Sequence, residues 1–299
     1  MNKKNYKKNL KISFIICGIM FVVILLIFVF SVLVNNNVAE NMTGRLLYMN
    51  EAELLIYDFD NKKILEPAML NGQKVADACL VTDDDICAAV LDEAGLKIVT
   101  SKVASKEPVK LFEENGVKRL ISLETDRNKK SILFAYVNED NYTVVKTINI
   151  SDGTVNDLLM NNEKEITSVC FNYDGDGAYV FAKGTNTLIY TEKMELLCSI
   201  KGDAESVCAF KDGVIISKDN EYKYLYKFYI ATGNESGLKF CDGHNTYTVC
   251  QVGDNKYIAG SDKNGNVDIY VCNGSNMDPV DAVNNDMKNI PLDYIENGN

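Results

Sequence analysis

A single histidine, His244, limits the chemistry open to this 299-residue chain. A Ser–His–Asp or Cys–His arrangement, or a multi-histidine metal site, must run through it or cannot be built. It stands in a Gly-His dipeptide, where a structural role outweighs a catalytic one. Asp262, Asn264, Asn266 and Asp268 place oxygen donors at alternate positions, as a calcium loop does. Val267 stands where such a loop needs glycine, however, and no glutamate follows at the twelfth position, so a Gly-Asn hairpin turn explains the pattern. Asp174-Gly-Asp176-Gly reads as another turn. A glycosidase needs two carboxylates about 5–10 Å apart across one cleft. Nothing singles out a pair among 42 acidic residues. These residues identify no catalytic group, no metal and no cofactor, and they weigh against an enzyme.

Those groups are carried by two different materials. Residues 12–34 read ISFIICGIMFVVILLIFVFSVLV, 23 residues without a charge. About 20 apolar helical residues cross a bilayer, and a cleavable signal has a shorter apolar run ending at small residues. The run is therefore expected to be an uncleaved transmembrane helix, with Cys17 a small apolar residue within it. Lys3, Lys4, Lys7, Lys8 and Lys11 precede it, and no further basic residue occurs before Arg45. The positive-inside rule then places residues 1–11 in the cytoplasm and the rest outside, on a stalk of residues 35–44. Without those five lysines the 31 basic residues fall to 26, against 42 acidic ones. That balance excludes nucleic acid as a partner. Abundant Asn and Lys and the absence of a cleavage site fit the cell membrane of a Gram-positive bacterium.

From residue 45 onward a unit of about forty residues repeats. VADACLVTDDDICAAVL, VKRLISLETDRNKKSILFAYV, ITSVCFNYDGDGAYVFA, ESVCAFKDGVIISKD and YTVCQVGDNKYIAGSD are each a strand, a polar turn and a second strand, and each is followed by another hairpin. Four short strands at this period are the signature of propeller blades. The count is six, with five or seven as alternatives. The first blade lacks an innermost strand, which IPLDYIE, from Ile290, is placed to supply. The expected fold is thus an all-β, six-bladed propeller over residues 45–299. GHNTYTVCQVGDNKYIAGSDKNGNVDIYV resembles a WD40 repeat, with Tyr270 in place of its usual Trp, and hairpins such as YDFDNKKIL resemble quinoprotein-like propeller repeats. The resemblance implies an interaction scaffold more than it implies chemistry.

The repeat also sorts the cysteines. Cys79, Cys170, Cys208 and Cys250 align at one inner-strand position, where the remaining repeat has Ile121, so they are expected to be buried free thiols. Packed sheets lie about 10 Å apart, beyond the roughly 7 Å between Cα atoms that a disulfide spans. Cys87, Cys198, Cys241 and Cys272 are less constrained, and a bridge among them stays open. The turns between second and third strands hold Glu51, Asp92 with Glu93, Glu139 with Asp140, Asp219 with Glu221, and Asp262. They would gather on one face and could steer a cationic ligand, although turns are polar by default. The resulting expectation is a membrane-anchored scaffold or sensor that binds a protein, peptide or cell-wall component. A carboxylate- or Tyr-dependent hydrolase or lyase on wall polysaccharide is the first alternative, favoured if acids with raised pKa values cluster in the central channel. An assembly factor for membrane proteins is the second.

Overall fold

The structure is a computed structural model that describes residues 20–24, 38–51, 53–68, 74–105, 107–218, 224–238, 245–253, 256–263, 266–273, 276–284 and 287–296. The chain divides into two compact units, Met1–Asn41 and Met42–Asn299. Within the first, residues 20–24 are helical and Val38–Asn41 form a 3-10 turn. The transmembrane helix expected over residues 12–34 falls, apart from residues 20–24, outside the described residues. Among those that are described, no helix is long and apolar enough to cross a membrane.

The second unit is the six-bladed, all-β propeller that the repeats predict, with six four-stranded sheets among its described residues. In blade 1, β1 (Arg45–Asn50), β2 (Glu53–Asp58) and β3 (Lys63–Leu65) run outward from the channel. Blade 2 is β4 (Val75–Leu80), β5 (Asp85–Asp92), β6 (Gly95–Lys102) and β7 (Val109–Asn115). Blade 3 follows as β8 (Val117–Thr125), β9 (Ser131–Asn138), β10 (Thr143–Asn149) and β11 (Val155–Asn161). Next comes blade 4, with β12 (Ile166–Phe171), β13 (Ala178–Ala182), β14 (Thr187–Thr191) and β15 (Leu196–Ile200). Blade 5 holds β16 (Ala204–Phe210), β17 (Gly213–Lys218), β18 (Tyr224–Tyr229) and β19 (Asn234–Leu238). Blade 6 holds β20 (Asn245–Gly253), β21 (Lys256–Lys263), β22 (Asn266–Asn273) and β23 (Asn276–Pro279). The last strand, β24 (Asn289–Ile295), returns to blade 1 and pairs with β1 from Asn50 to Arg45.

Second strands are covered by a neighbouring blade on each side, which is why they read as continuous apolar runs and not as alternations. In β5, Ile86 and Ala88 pack toward Leu47 and Ile56 of blade 1, whereas Cys87 and Ala89 pack toward Phe134 of blade 3. Each fully buried residue of the size of Ile86 or Phe134 contributes about 1.5–3 kcal/mol. Alanine at 89 leaves room for Phe134, the large-against-small pattern of close-packed sheets. The β5–β6 turn needs Gly95: its φ is 143°, and a Cβ there would lie 2.1 Å from the Glu114 carbonyl oxygen.

The closure is tied by side chains as well as by the ladder. The Tyr294 hydroxyl donates to the Thr43 carbonyl at 2.5 Å. Arg45 pairs with Asp58 in its own blade and with Asp84 of blade 2, at 3.6 and 2.7 Å.

Candidate functional site

All six innermost strands carry the same irregularity. Pairing to the second strand skips Ala76 in β4, Ile121 in β8, Thr167 in β12, Val207 in β16 and Leu292 in β24, and skips two residues between Thr246 and Val249 in β20; β8 has a further skip at Lys118 and β20 one at Val252. A β-bulge re-aims the side chains around it. Here Asp293, Asp77, Ser122, Ser168, Cys208 and Val249, one from each blade in order and each directly after a skip, line the central channel. The channel has a volume of about 1060 Å³. Its lining runs from Met49 and Ile290 at one mouth to Thr82, Arg127, Tyr173 and Glu296 at the other. The Arg127 guanidinium lies over the Tyr173 ring, 4.5 Å from its centroid. The ring is thus acidic on the side of blades 1 to 3 and neutral or thiol-bearing on the side of blades 4 to 6.

The acids link one blade to the next. Asp293 of β24 accepts the Leu80 N–H at 2.8 Å, Asp77 of β4 accepts the Leu123 N–H at 3.1 Å, and Glu124 of β8 accepts the Phe171 N–H. Three successive blade joints therefore share one device, an inner-strand carboxyl on the backbone of the next inner strand. At the fourth joint, the Ser206 hydroxyl donates to the Cys170 sulfur at 3.1 Å. Lys129, in the β8–β9 turn with φ 54°, is the cation of the cluster. Its ammonium donates to the Thr125 hydroxyl at 2.7 Å and to Asp293 at 2.9 Å.

This packing sets the proton affinities. Burial pushes Asp77 up to about 7, Asp293 adds to the shift, and the N–H groups of Ala78 and Leu123 oppose it. Burial pushes Glu124 up to about 8, with the charges of Asp293 and Asp77 adding, while the Phe171 N–H and Lys129 oppose. Both residues stay partly open to the channel. Burial disfavours the charged form of Lys129, but attraction to Asp293 outweighs it and holds the ammonium above its ordinary pKa. The site can therefore hold protonated carboxyls near neutral pH beside the Lys129 ammonium.

Cys79, Cys170, Cys208 and Cys250 have free thiols, as the repeat alignment leads one to expect, and Cys87, Cys198 and Cys272, for which a bridge stayed open, are free as well. The alignment itself needs correction. Cys79 and Cys170 are equivalent counting from their bulges, and blade 3, which skips both Lys118 and Ile121, puts Ile121 at that position counted from the first skip and Glu124 counted from the second. Cys208 takes the position of Asp77, and Cys250 lies one residue after that of Val249. Burial raises Cys170, Cys208 and Cys250 well above the ordinary thiol range, so they are protonated and poor nucleophiles. Cys241 and His244 lie outside the described residues.

The acidic turns fall elsewhere. Glu51, Asp92, Glu93, Glu139 and Asp140 are exposed at the turns between second and third strands, and Asp262 is the penultimate residue of β21; none of them lines the channel. In a meandering blade these turns lie on the face opposite the Arg127–Tyr173 mouth. Asp92 serves its own turn: it accepts the N–H groups of Ala94 and Gly95 and pairs with Lys97, which hold its carboxyl below the usual range. The Glu139 side chain packs over Gly116. Asp219 and Glu221 lie outside the described residues. Among the described residues no group of three or more His, Cys, Asp or Glu side chains is arranged to hold a metal ion.

No family model matches the chain, and no curated protein matches its sequence. Solved structures do match, at identities that show the fold alone. TolB from Acinetobacter baumannii superposes with a TM-score of 0.61 at 12% identity, covering 84% of this chain and 67% of TolB. A chain of the nidogen/laminin complex gives 0.56 at 10% identity, covering 83% of this chain and 98% of its own. The β-propeller domain of the Trilobed protease from Pyrococcus furiosus, described as having an open velcro topology, gives 0.51 at 13% identity over 76% of this chain and 73% of its own. The present ring differs from that description in closing through β24. The fold of this chain is that of a six-bladed β-propeller.

Proposed function

We propose that the protein is a membrane-anchored, extracytoplasmic binding module whose ligand enters the central channel at the Arg127–Tyr173 mouth. The observation that carries this reading is the channel itself, about 1060 Å³ of cavity lined by inner strands of all six blades. Ligand sites are concave, with a few convergent polar groups, and here Asp77, Glu124, Lys129 and Asp293 converge. Arg127 stacked on Tyr173 offers a planar, amphipathic surface of the kind enriched at protein interfaces. A neighbour found within a nidogen/laminin complex supports a protein as ligand. The uncharged run at 12–34, with five lysines before it, supports the anchor and an outward-facing domain.

A second reading, a carboxylate-dependent hydrolase or lyase, is favoured by one observation. Asp77 and Glu124, raised to about 7 and about 8, face the same cavity. Against it, both Asp77 oxygens and one Glu124 oxygen already accept backbone N–H groups, which makes them ties between strands. The topology is tested by adding protease to intact cells. The propeller should be removed while the cytoplasmic tail survives; complete protection would place the domain inside and overturn the reading.

A further inference from the structure

Within one blade, the 10 Å spacing that keeps the cysteines of different sheets apart does not apply. In blade 2, Cys79 of β4 stands directly opposite Cys87 of β5 in the antiparallel ladder. Among the described residues no other two cysteines are so paired: Cys170 faces Tyr179, Cys198 faces Ile189, Cys208 faces Ile215, Cys250 faces Ile258, and Cys272 faces Tyr257 and Met277. Both side chains of the pair lie on the blade 3 side of the sheet, in one apolar cluster with Ala89 and Phe134, and their thiols are within hydrogen-bond reach of each other.

Opposite Cα atoms of an antiparallel pair are about 4.5–5.5 Å apart, inside the span of a disulfide. Their Cβ atoms, at about 4.5–5.5 Å, stand some 1 Å wider than a disulfide prefers, so a bond here would be a reducible one. The two sulfurs are not equally placed. Cys79 lines the central channel, whereas Cys87 stands behind it in the second strand and does not.

We propose that Cys79 and Cys87 are a redox site, a dithiol that a small disulfide entering the channel converts to a reversible cross-strand bond. The Cys79 thiolate attacks the incoming disulfide, forming a mixed disulfide and releasing one thiolate of the oxidant. The Cys87 thiolate then attacks the Cys79 sulfur and expels the second. Two cysteine thiols are oxidised, one external disulfide is reduced to two thiols, and the two protons pass to them. The hydrogen bond between the thiols, with burial, holds Cys79 above its ordinary range, and the Lys129 ammonium opposes. The first attack is therefore slow, and the pair rests as thiols until an oxidant is present. Once formed, the bond fixes the strand that carries two blade joints, since Asp77 accepts the Leu123 N–H and Leu80 donates to Asp293.

The full chain, folded in detergent, is incubated with oxidised glutathione, quenched with acid and alkylated. Cutting before the aspartates, at Asp77, Asp83, Asp84, Asp85 and Asp92, separates the two cysteines unless a disulfide joins them. Mass spectrometry should find the two fragments linked, and separated again after dithiothreitol. The linked form should exceed glutathione adducts on Cys170, Cys208 or Cys250 by about tenfold, because those thiols have no partner to complete the exchange. Cys87→Ser should stop at glutathione on Cys79. Fragments that stay separate in the parent chain, a link that forms only in urea, or Cys79 joined to a cysteine of another blade would each overturn the proposal.

Discussion

Removing the last eleven residues, Asn289 to Asn299, should abolish cooperative folding of the propeller. The deletion takes away β24, and with it the whole ladder to β1 and the buried or half-buried side chains of Ile290, Leu292, Tyr294 and Ile295. At about 1.5–3 kcal/mol for each large apolar side chain, the loss is of order 6–10 kcal/mol, comparable to the total stability of an ordinary domain. The single change Asp293→Ala isolates the side-chain part. It leaves the Leu80 N–H without its acceptor and Lys129 without its counter-ion, in a site where both are enclosed. Loss of a partner from an enclosed charged pair costs about 2–4 kcal/mol, or roughly 5–15 °C in Tm for a domain of this size. Thermal unfolding of the full chain and the two variants measures both. A truncated chain that melts cooperatively at the parent temperature would remove β24 from the account of the ring.

The second large effect is in pH. The folded-state pKa values of Asp77 and Glu124 lie above those of an unfolded chain, about 7 and about 8 against roughly 4. The folded protein therefore holds two protons that the unfolded chain has released. Their contribution to stability is present below about pH 4 and is lost as pH rises toward 8. Full conversion of the shifts would give several kcal/mol per group. Both carboxyls are partly open to channel water, so a joint loss of about 2–4 kcal/mol is the better expectation. Glu124→Gln keeps an oxygen for the Phe171 N–H, and Asp77→Asn keeps one for either the Ala78 or the Leu123 N–H, while both remove the charge. The double variant should gain about 1–3 kcal/mol on the parent between pH 5 and pH 8.5, read from urea midpoints. An equal difference at the two pH values would mean that these acids titrate normally.

Much of the fold can be read from the sequence because the blade is a local motif. Strand, turn and strand recur as an inner strand such as VADACL, a polar turn and an apolar run such as ICAAVL, and a missing inner strand in the first blade leaves IPLDYIE with a place to go. The structure puts it there. The site is less legible. Acidic turns attract notice because Glu51, Asp92 and Glu139 stand in short polar segments, but polar turns follow from solvent exposure and backbone geometry. The channel acids are quieter and more informative. Asp77 interrupts VADACL, Glu124 stands near the end of LISLET, and Asp293 interrupts IPLDYI. A charge inside an innermost strand is costly unless something is built to receive it, and that was the available signal. What the sequence hides is the bulge. A skip changes which side chain follows along the strand, and the second skip in β8, at Ile121, brings Glu124 to the place that Ile121 holds counted from the first.

Bulges, carboxyl ties and closure have one joint consequence, a channel kept open at its Arg127–Tyr173 mouth while its walls are locked blade to blade. If that channel is where the ligand enters, a photo-crosslinking phenylalanine in place of Tyr173 should capture a discrete partner on intact cells, and the same residue in place of Glu139, on the opposite face, should not. Adducts from position 139 alone would contradict it and return the ligand to the acidic turns.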